Sequence, residues 1–125
     1  MIFDTDILIW VEHKHSEAVK LIDNNLDRYV SLQSYMEFLQ GGKSLKDVQI
    51  FKSFLNDLNF KILPLTENIG QRASIYIEEY SLSSGLRSGD ALIAATAVEH
   101  NLTLLTGNQK HFQRIQELKL QFFRP

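Results

Sequence analysis

No cysteine occurs anywhere in the 125 residues. That removes disulfides, thiolate metal sites and cysteine nucleophiles together, and it fits a reducing compartment. Long apolar runs are missing too: the longest, Ala91 to Val98, is far short of the roughly 20 residues that cross a membrane. The opening residues, MIFDTD, bring an acid by position 4 and no basic stretch. No secretory leader is therefore expected, and the chain is expected to be cytoplasmic and away from membranes. There is no excess of positive charge, since 13 Lys and Arg face 15 Asp and Glu for a net charge of −2. A broadly basic coat for nucleic acid is excluded. An enzyme of nucleic acid is not, because an acidic metal site can mask a local basic rim. Lys43, Lys46, Arg87, Lys110, Arg114, Lys119 and Arg124 are candidates for that rim and equally for ordinary solvated surface. No internal repeat, low-complexity tract or linker interrupts the chain, which reads as one domain over residues 1–125.

What is present, 44% hydrophobic and 22% charged residues, is the balance of a soluble globular fold. MetIlePhe ends at Asp4, and IleLeuIleTrpVal follows Asp6. These predict a buried strand, a turn, and a helix capped by Asp6. After the polar break at 12–16, Ser16 reads as the cap of an amphipathic helix carrying Ala18, Val19, Leu21, Ile22 and Leu26. A short strand is expected at 28–31, then a helix over 32–40 stopped by Gly41 and Gly42. A helix over 45–58, a strand at 60–63 before Pro64, and a long helix opened by Thr66 and running to Tyr80 come next. SerLeuSerSerGly, 81–85, reads as a loop. A strand at 102–106, a helical turn over 109–115 and a last strand at 120–123 complete the pattern. Strands alternating with helices predict an α/β fold, a parallel sheet with helices on both faces. Sites in such sheets form at the carboxyl ends of the strands, near a topological switch point.

The stretch that organises the chain is DALIAATA, from Asp90 to Ala97. Its apolar and small residues run round the whole circumference, as in a buried helix. Ser88 reads as its N-cap, which sets Asp90 in the first turn, at the positive end of the macrodipole. Taken alone, Asp90 is as well explained by that dipole as by chemistry. Glu37 shares a polar helix face with Gln33 and Gln40, where a glutamate is ordinarily just solvated. Asp4 and Asp6 suit a turn and a cap, and Asn108 suits a turn. The topology nevertheless brings Asp4 and Thr106, at strand ends, to the same edge as Glu37 and Asp90. The histidines of EHKHS lie in a polar break, while His111 falls beside the acids and is a candidate phosphate contact.

Taken together, DTDILIW at Asp4, VSLQSYMEFLQGG around Glu37, GDALIAATAVEHNLTLLT around Asp90, and GNQKHF from Gly107 form a known pattern. The chain resembles the PIN-domain ribonucleases, in particular the VapC-type toxins of toxin–antitoxin pairs, over essentially its whole length. The resemblance implies a three-layer α/β/α sandwich with a central mainly parallel sheet. It implies a metal-dependent endoribonuclease in which Asp4, Glu37 and Asp90 bind Mg²⁺ or Mn²⁺ and water cuts the phosphodiester, leaving 5′-phosphate and 3′-hydroxyl ends. Asn108 stands where many members place a fourth acid, and Asp6 stands where the common motif has Asn. Asp6 is taken as a helix cap, with restoration of the missing charge as the alternative. Thr106 or Thr5 would orient a carboxylate or a water. The partners implied are a cognate antitoxin protein, an RNA substrate (tRNA, rRNA or mRNA), and a second copy of the chain. The apolar stripes at 45–58 and 66–80 are candidates for the dimer face.

Two rivals belong to other classes. One is a PIN fold that binds RNA or a partner without cutting, for which Asn108 speaks. The other is a haloacid-dehalogenase-type phosphatase, suggested by AspThrAsp but lacking a hydroxyl residue at position 8, which is Leu.

Overall fold

The computed structural model describes all residues, 1–125. Its elements in order are β1 (Ile2–Phe3), α1 (Thr5–Glu12), α2 (Ser16–Asp23), β2 (Tyr29–Ser31), α3 (Leu32–Gln40), α4 (Leu45–Asp57), β3 (Lys61–Leu63), α5 (Glu67–Ser84), α6 (Ser88–Glu99), β4 (Leu104–Thr106), α7 (Gln109–Phe112) and β5 (Leu120–Phe122). All strand pairs are parallel, in the order β3-β2-β1-β4-β5. The chain therefore starts in the middle of the sheet, builds outward one way, then crosses over to β4 and β5. The switch point falls between β1 and β4, where Ile2 pairs with Leu104 and Phe3 with Leu105.

Successive residues of a strand point to opposite faces, so even the two-residue β1 serves both cores. Ile2 and Leu104 join Ile69, Ala73, Ile93, Phe112 and Ile115 under α5, α6 and α7. Phe3, Leu105 and Val30 join Ile7, Leu8, Val11, Ile22, Phe38 and Leu55 under α1 to α4. A sheet buried on both faces requires apolar residues at every strand position, which is why IF, YV and LL carry no alternation. The result is a three-layer α/β/α sandwich.

Helix α6 is buried as its composition predicts: Ala91, Ile93, Ala94, Ala95, Thr96 and Ala97 are all within 1% of full burial. The alanines let α5 and the sheet approach closely. The one polar side chain among these buried positions, Thr96, returns its hydroxyl to the Leu92 carbonyl at 2.7 Å, so no polar group is stranded.

Several local expectations need correction. The cap of α1 is Asp4, not Asp6; its backbone is extended (φ −73, ψ 160) and its side chain accepts from the Thr5 N–H. Arg87 and not Ser88 is the residue before α6. Likewise His15 precedes α2, which ends at Asp23 and leaves Leu26 exposed. The expected loop at 81–85 is helical to Ser84, because the Ser84 hydroxyl folds back onto the Tyr80 carbonyl at 2.8 Å and satisfies itself inside the helix. Gly85 then ends α5 in the left-handed conformation at φ 71, a backbone that glycine adopts at no steric cost. Gly41 ends α3 without that device, at φ −69. Ile75 of the 66–80 stripe is exposed, as are Leu45 and Ile50 of α4, whereas Val48, Phe51, Phe54 and Leu58 of the α4 stripe are half-buried and Leu55 is buried. No helix is long and apolar enough to cross a membrane.

Candidate active site at the carboxyl edge of the sheet

Asp4 follows directly on β1, and its own N–H continues the ladder to the Leu105 carbonyl at 2.9 Å. The side chain is thereby fixed over the switch point, only 7% exposed. Oδ1 accepts from the Thr5 N–H at 2.7 Å and Oδ2 from the Thr106 hydroxyl at 2.6 Å. Thr106, the last residue of β4, is wholly buried and also accepts from the Asn108 N–H at 3.0 Å. Burial pushes the Asp4 carboxyl up to about 7, with the nearby Asp6 and then Asp90 adding to the rise against the two hydrogen bonds. Hydroxyl and amide donors reach this carboxyl; no ammonium or guanidinium pairs with it.

Glu37 projects from α3 into the same region. Its Oε1 accepts from the Thr5 hydroxyl at 2.7 Å and its Oε2 from the Gln33 amide at 2.9 Å. Thr5 thus bridges two acids, giving its N–H to Asp4 and its hydroxyl to Glu37. Glu37 also lies against the start of α6: a Cβ on Gly89 would meet Glu37 Oε2 at 2.7 Å. Glycine at 89 is what allows the α3 carboxylate to sit beside the residue that precedes Asp90. Asp90, in the first turn of α6, accepts from the Arg87 N–H at 3.2 Å. This closes the helix start and orients the carboxylate toward the sheet edge.

His111, which the sequence offered only as a neighbour of the acids, lies in direct contact with one of them. Its Nδ1 is 2.9 Å from Asp90 Oδ2 and 2.8 Å from the Asn108 amide nitrogen. A ring nitrogen either donates or accepts, so Nδ1 serves the carboxylate or the amide but not both. Helix α7 brings this about, because Asn108 caps it and accepts from the His111 N–H at 3.4 Å. An asparagine three residues before the histidine signals the N-cap of α7, but not the contact of the ring with Asp90.

Asp6 has a different place. Its Oδ2 accepts from the Gly107 N–H at 3.0 Å, tying α1 to the end of β4, while Oδ1 is buried without a partner. Burial raises its carboxyl above the usual range, opposed only in part by the Gly107 and Ile7 N–H groups and by the charge of Arg124.

The structure therefore gathers Asp4, Glu37, Asp90, Asn108, Asp6, Thr5 and Thr106 along one edge. It does not make a finished metal cage: no three Asp, Glu or His side chains converge as a ready ligand set. Each acid is instead occupied by a neighbouring donor. The donor chemistry suits a hard cation all the same, since Mg²⁺ takes oxygen ligands, often only one or two carboxylates, and keeps several waters. A buried carboxyl whose charge is opposed by burial and by two other acids lacks what a divalent ion would supply.

A PIN domain family model matches residues 1–118. The chain is similar to ribonuclease VapC1 of Rickettsia felis, 32% identical, with 96% of this chain and 93% of that protein covered. Ribonuclease VapC10 of Mycobacterium tuberculosis is also 32% identical, over 77% of this chain and 71% of that one. Among solved structures, a toxin–antitoxin complex from Klebsiella pneumoniae contains a chain 31% identical, with a TM-score of 0.79 and coverage of 94% and 93%. VapBC2 from Rickettsia felis, bound to a DNA fragment from its promoter, superposes with a TM-score of 0.83 at 24% identity and shares the fold over 99% of this chain and 100% of that one.

Proposed function

This chain belongs to the PIN-domain family, and from that premise we propose that it is a divalent-metal-dependent endoribonuclease, the toxin of a toxin–antitoxin pair, with Asp4, Glu37 and Asp90 as its working acids. The observation that carries the reading is the environment of Asp4: a nearly buried carboxyl at a topological switch point, with two further acids acting on it and no cationic partner. A structural aspartate at such a depth is ordinarily paired. One that is not is built to meet a charge arriving from outside.

Asp4 and Asp90 would hold Mg²⁺ or Mn²⁺, with Glu37 alongside; once bound, the ion supplies charge stabilisation at the phosphodiester and a more acidic water. The chain's own residues do the positioning. Thr106 and the Thr5 N–H fix both oxygens of Asp4, and the Thr5 hydroxyl with Gln33 fixes both oxygens of Glu37. The Arg87 N–H holds one Asp90 oxygen, Oδ2, with His111 Nδ1 2.9 Å from the same atom, and Oδ1 has no hydrogen-bond partner. Asn108 offers a carbonyl oxygen but no charge, so the negative charge of the site rests on the three acids and on Asp6 behind them.

A cognate antitoxin is the partner that accompanies this activity, in keeping with the toxin–antitoxin complexes whose chains share the fold. The phosphatase alternative finds no support: Leu8, where that chemistry places a hydroxyl, is fully buried in the core. The test is incubation of purified protein with a structured RNA mixture in Mg²⁺, in Mn²⁺ and in EDTA, with analysis of the ends. Metal-dependent fragments bearing 5′-phosphates are expected. Equal cutting in EDTA, or cutting that leaves 2′,3′-cyclic ends, would overturn the reading.

A further inference from the structure

Next to the acids lies a cleft of ≈ 780 Å³, running from Asp6 and Asn108 along the edge strand β5. Its size falls among pockets that take small organic groups, roughly 300–1,000 Å³. One wall is aromatic: Trp10 and Phe123 meet edge to face with ring centroids 5.6 Å apart. Lys110 and Arg124 stand exposed at the rim, and neither closes an ion pair. The side-chain amides of Gln109 and Gln113 are exposed beside them, with no hydrogen bond to another residue.

The cleft and the acids are joined at one residue. A Cβ on Gly107 would stand 2.7 Å from Asp6 Oδ2, 2.9 Å from the outer ring of Trp10 and 3.0 Å from the Phe123 carbonyl. Glycine there draws the indole, the backbone just after β5 and the acidic edge together. Asn108, which lines the cleft, is linked to Asp4 through the Thr106 hydroxyl and stands beside His111, the neighbour of Asp90. A strand whose phosphate reached Asp4 and Asp90 would therefore have its neighbouring nucleotide beside this wall.

Resting on the ribonuclease reading, we infer that the cleft is a nucleobase subsite for single-stranded RNA next to the scissile phosphate. Trp10 supplies the stacking face, Gln109 and Gln113 supply the groups that read a base edge, and Lys110 and Arg124 meet the flanking phosphates. Each part matches single-stranded recognition. Aromatic rings stack any base, amides distinguish base edges, and paired cations release counterions on binding phosphate. Double-stranded RNA hides its bases from such a wall, so unpaired loops are the substrate that the cleft selects. The overall charge of −2 makes this local pair of exposed cations more telling, since nothing in the chain's balance requires it.

Trp10 is the one tryptophan in the chain, so the wall reports on itself. The experiment titrates the full chain in EDTA, where nothing is to be cut, with five-nucleotide homopolymers of A, C and U. Tryptophan fluorescence is followed at two salt concentrations. Saturable quenching that weakens with salt and differs among the three homopolymers is expected. In parallel, cleavage by Trp10→Leu and by the surface double variant Lys110→Gln/Arg124→Gln is compared with wild type. KM is expected to rise about tenfold, with kcat within about twofold. Absence of quenching, together with unchanged KM in the double variant of a cleaving enzyme, would overturn the subsite while leaving the ribonuclease reading intact; the cleft would then be free for a protein partner. Saturable quenching by a protein that cuts nothing in any metal would uphold the subsite and sink the ribonuclease.

Discussion

Asp4→Asn is the substitution for which the structure makes the sharpest demand. The Asp4 carboxyl is raised from 3.8 to about 7, chiefly by burial. At about 1.4 kcal/mol per pH unit, that corresponds to a folding penalty of about 4 kcal/mol once the group is ionised. Below pH 3.8 the acid is protonated in folded and unfolded chains alike and the penalty is absent. Between 3.8 and 7 the unfolded chain gives up its proton while the folded chain keeps it, so stability falls as pH rises; above 7 the full cost is present. Asparagine has the same shape and no charge. Its carbonyl keeps the Thr5 N–H, but its NH₂ faces the Thr106 hydroxyl, which loses its acceptor, at a cost of about 1–2 kcal/mol. The net gain at pH 8 is about 2–3 kcal/mol, or about 10 °C in Tm for a chain of this length. Thermal unfolding by circular dichroism in EDTA should show Asp4→Asn more stable than wild type at pH 8 and less stable at pH 4. Saturating Mg²⁺ should raise the wild-type Tm and leave the variant unmoved. A variant destabilised equally at both pH values would refute the reasoning, since it would make Asp4 an ordinary structural hydrogen-bonding residue.

Other outcomes follow from single contacts. Gly89→Ala pushes the ends of two flexible side chains, Glu37 Oε2 at 2.7 Å and the Gln33 amide nitrogen at 3.2 Å, so Tm should move by less than about 4 °C while cleavage falls at least about tenfold; unchanged cleavage would remove Glu37 from the site. Asp6→Asn preserves an acceptor for the Gly107 N–H, and its cleavage rate should stay within about tenfold, about 1.4 kcal/mol in barrier. A loss of several orders of magnitude would make Asp6 a metal ligand. Ile93→Ala empties a fully packed position of α6 and should cost about 2–5 kcal/mol in denaturant unfolding; a loss under 1 kcal/mol would mean that the core under α6 collapses to fill the space.

Much of this was legible because the sheet is buried on both faces. Short unbroken apolar runs such as MIF, YV and LL can only be central parallel strands when helices alternate with them, and their ends mark the edge where Asp4 and Thr106 lie. Helix α6 was equally plain, since a helix apolar all round has only the interior to occupy. Caps were less legible. Asp4, Thr5 and Asp6 compete for the start of α1, and the winner is decided by Thr106 and Gly107, about a hundred residues away in sequence. The helical turn at 81–84 was hidden for a related reason: serines read as loop unless their hydroxyls find a carbonyl one turn back, as Ser84 does. The joining of His111 to Asp90 needed both α6 and α7 in place, and so did the contact of Glu37 with Gly89. The cleft beside β5 lay beyond sequence reasoning, because its walls come from α1, the turn after β4, and the edge strand.

The central claim is that the acids at the switch point cut RNA. Its most direct measurement is the initial rate of RNA cleavage in Mg²⁺ by wild type and by Asp90→Asn, with circular dichroism confirming that both are folded. Asparagine can still accept from the Arg87 N–H, so the fold should persist while cleavage falls by at least about three orders of magnitude, about 4 kcal/mol in barrier. Cleavage by the folded variant at a rate near that of wild type would contradict the account.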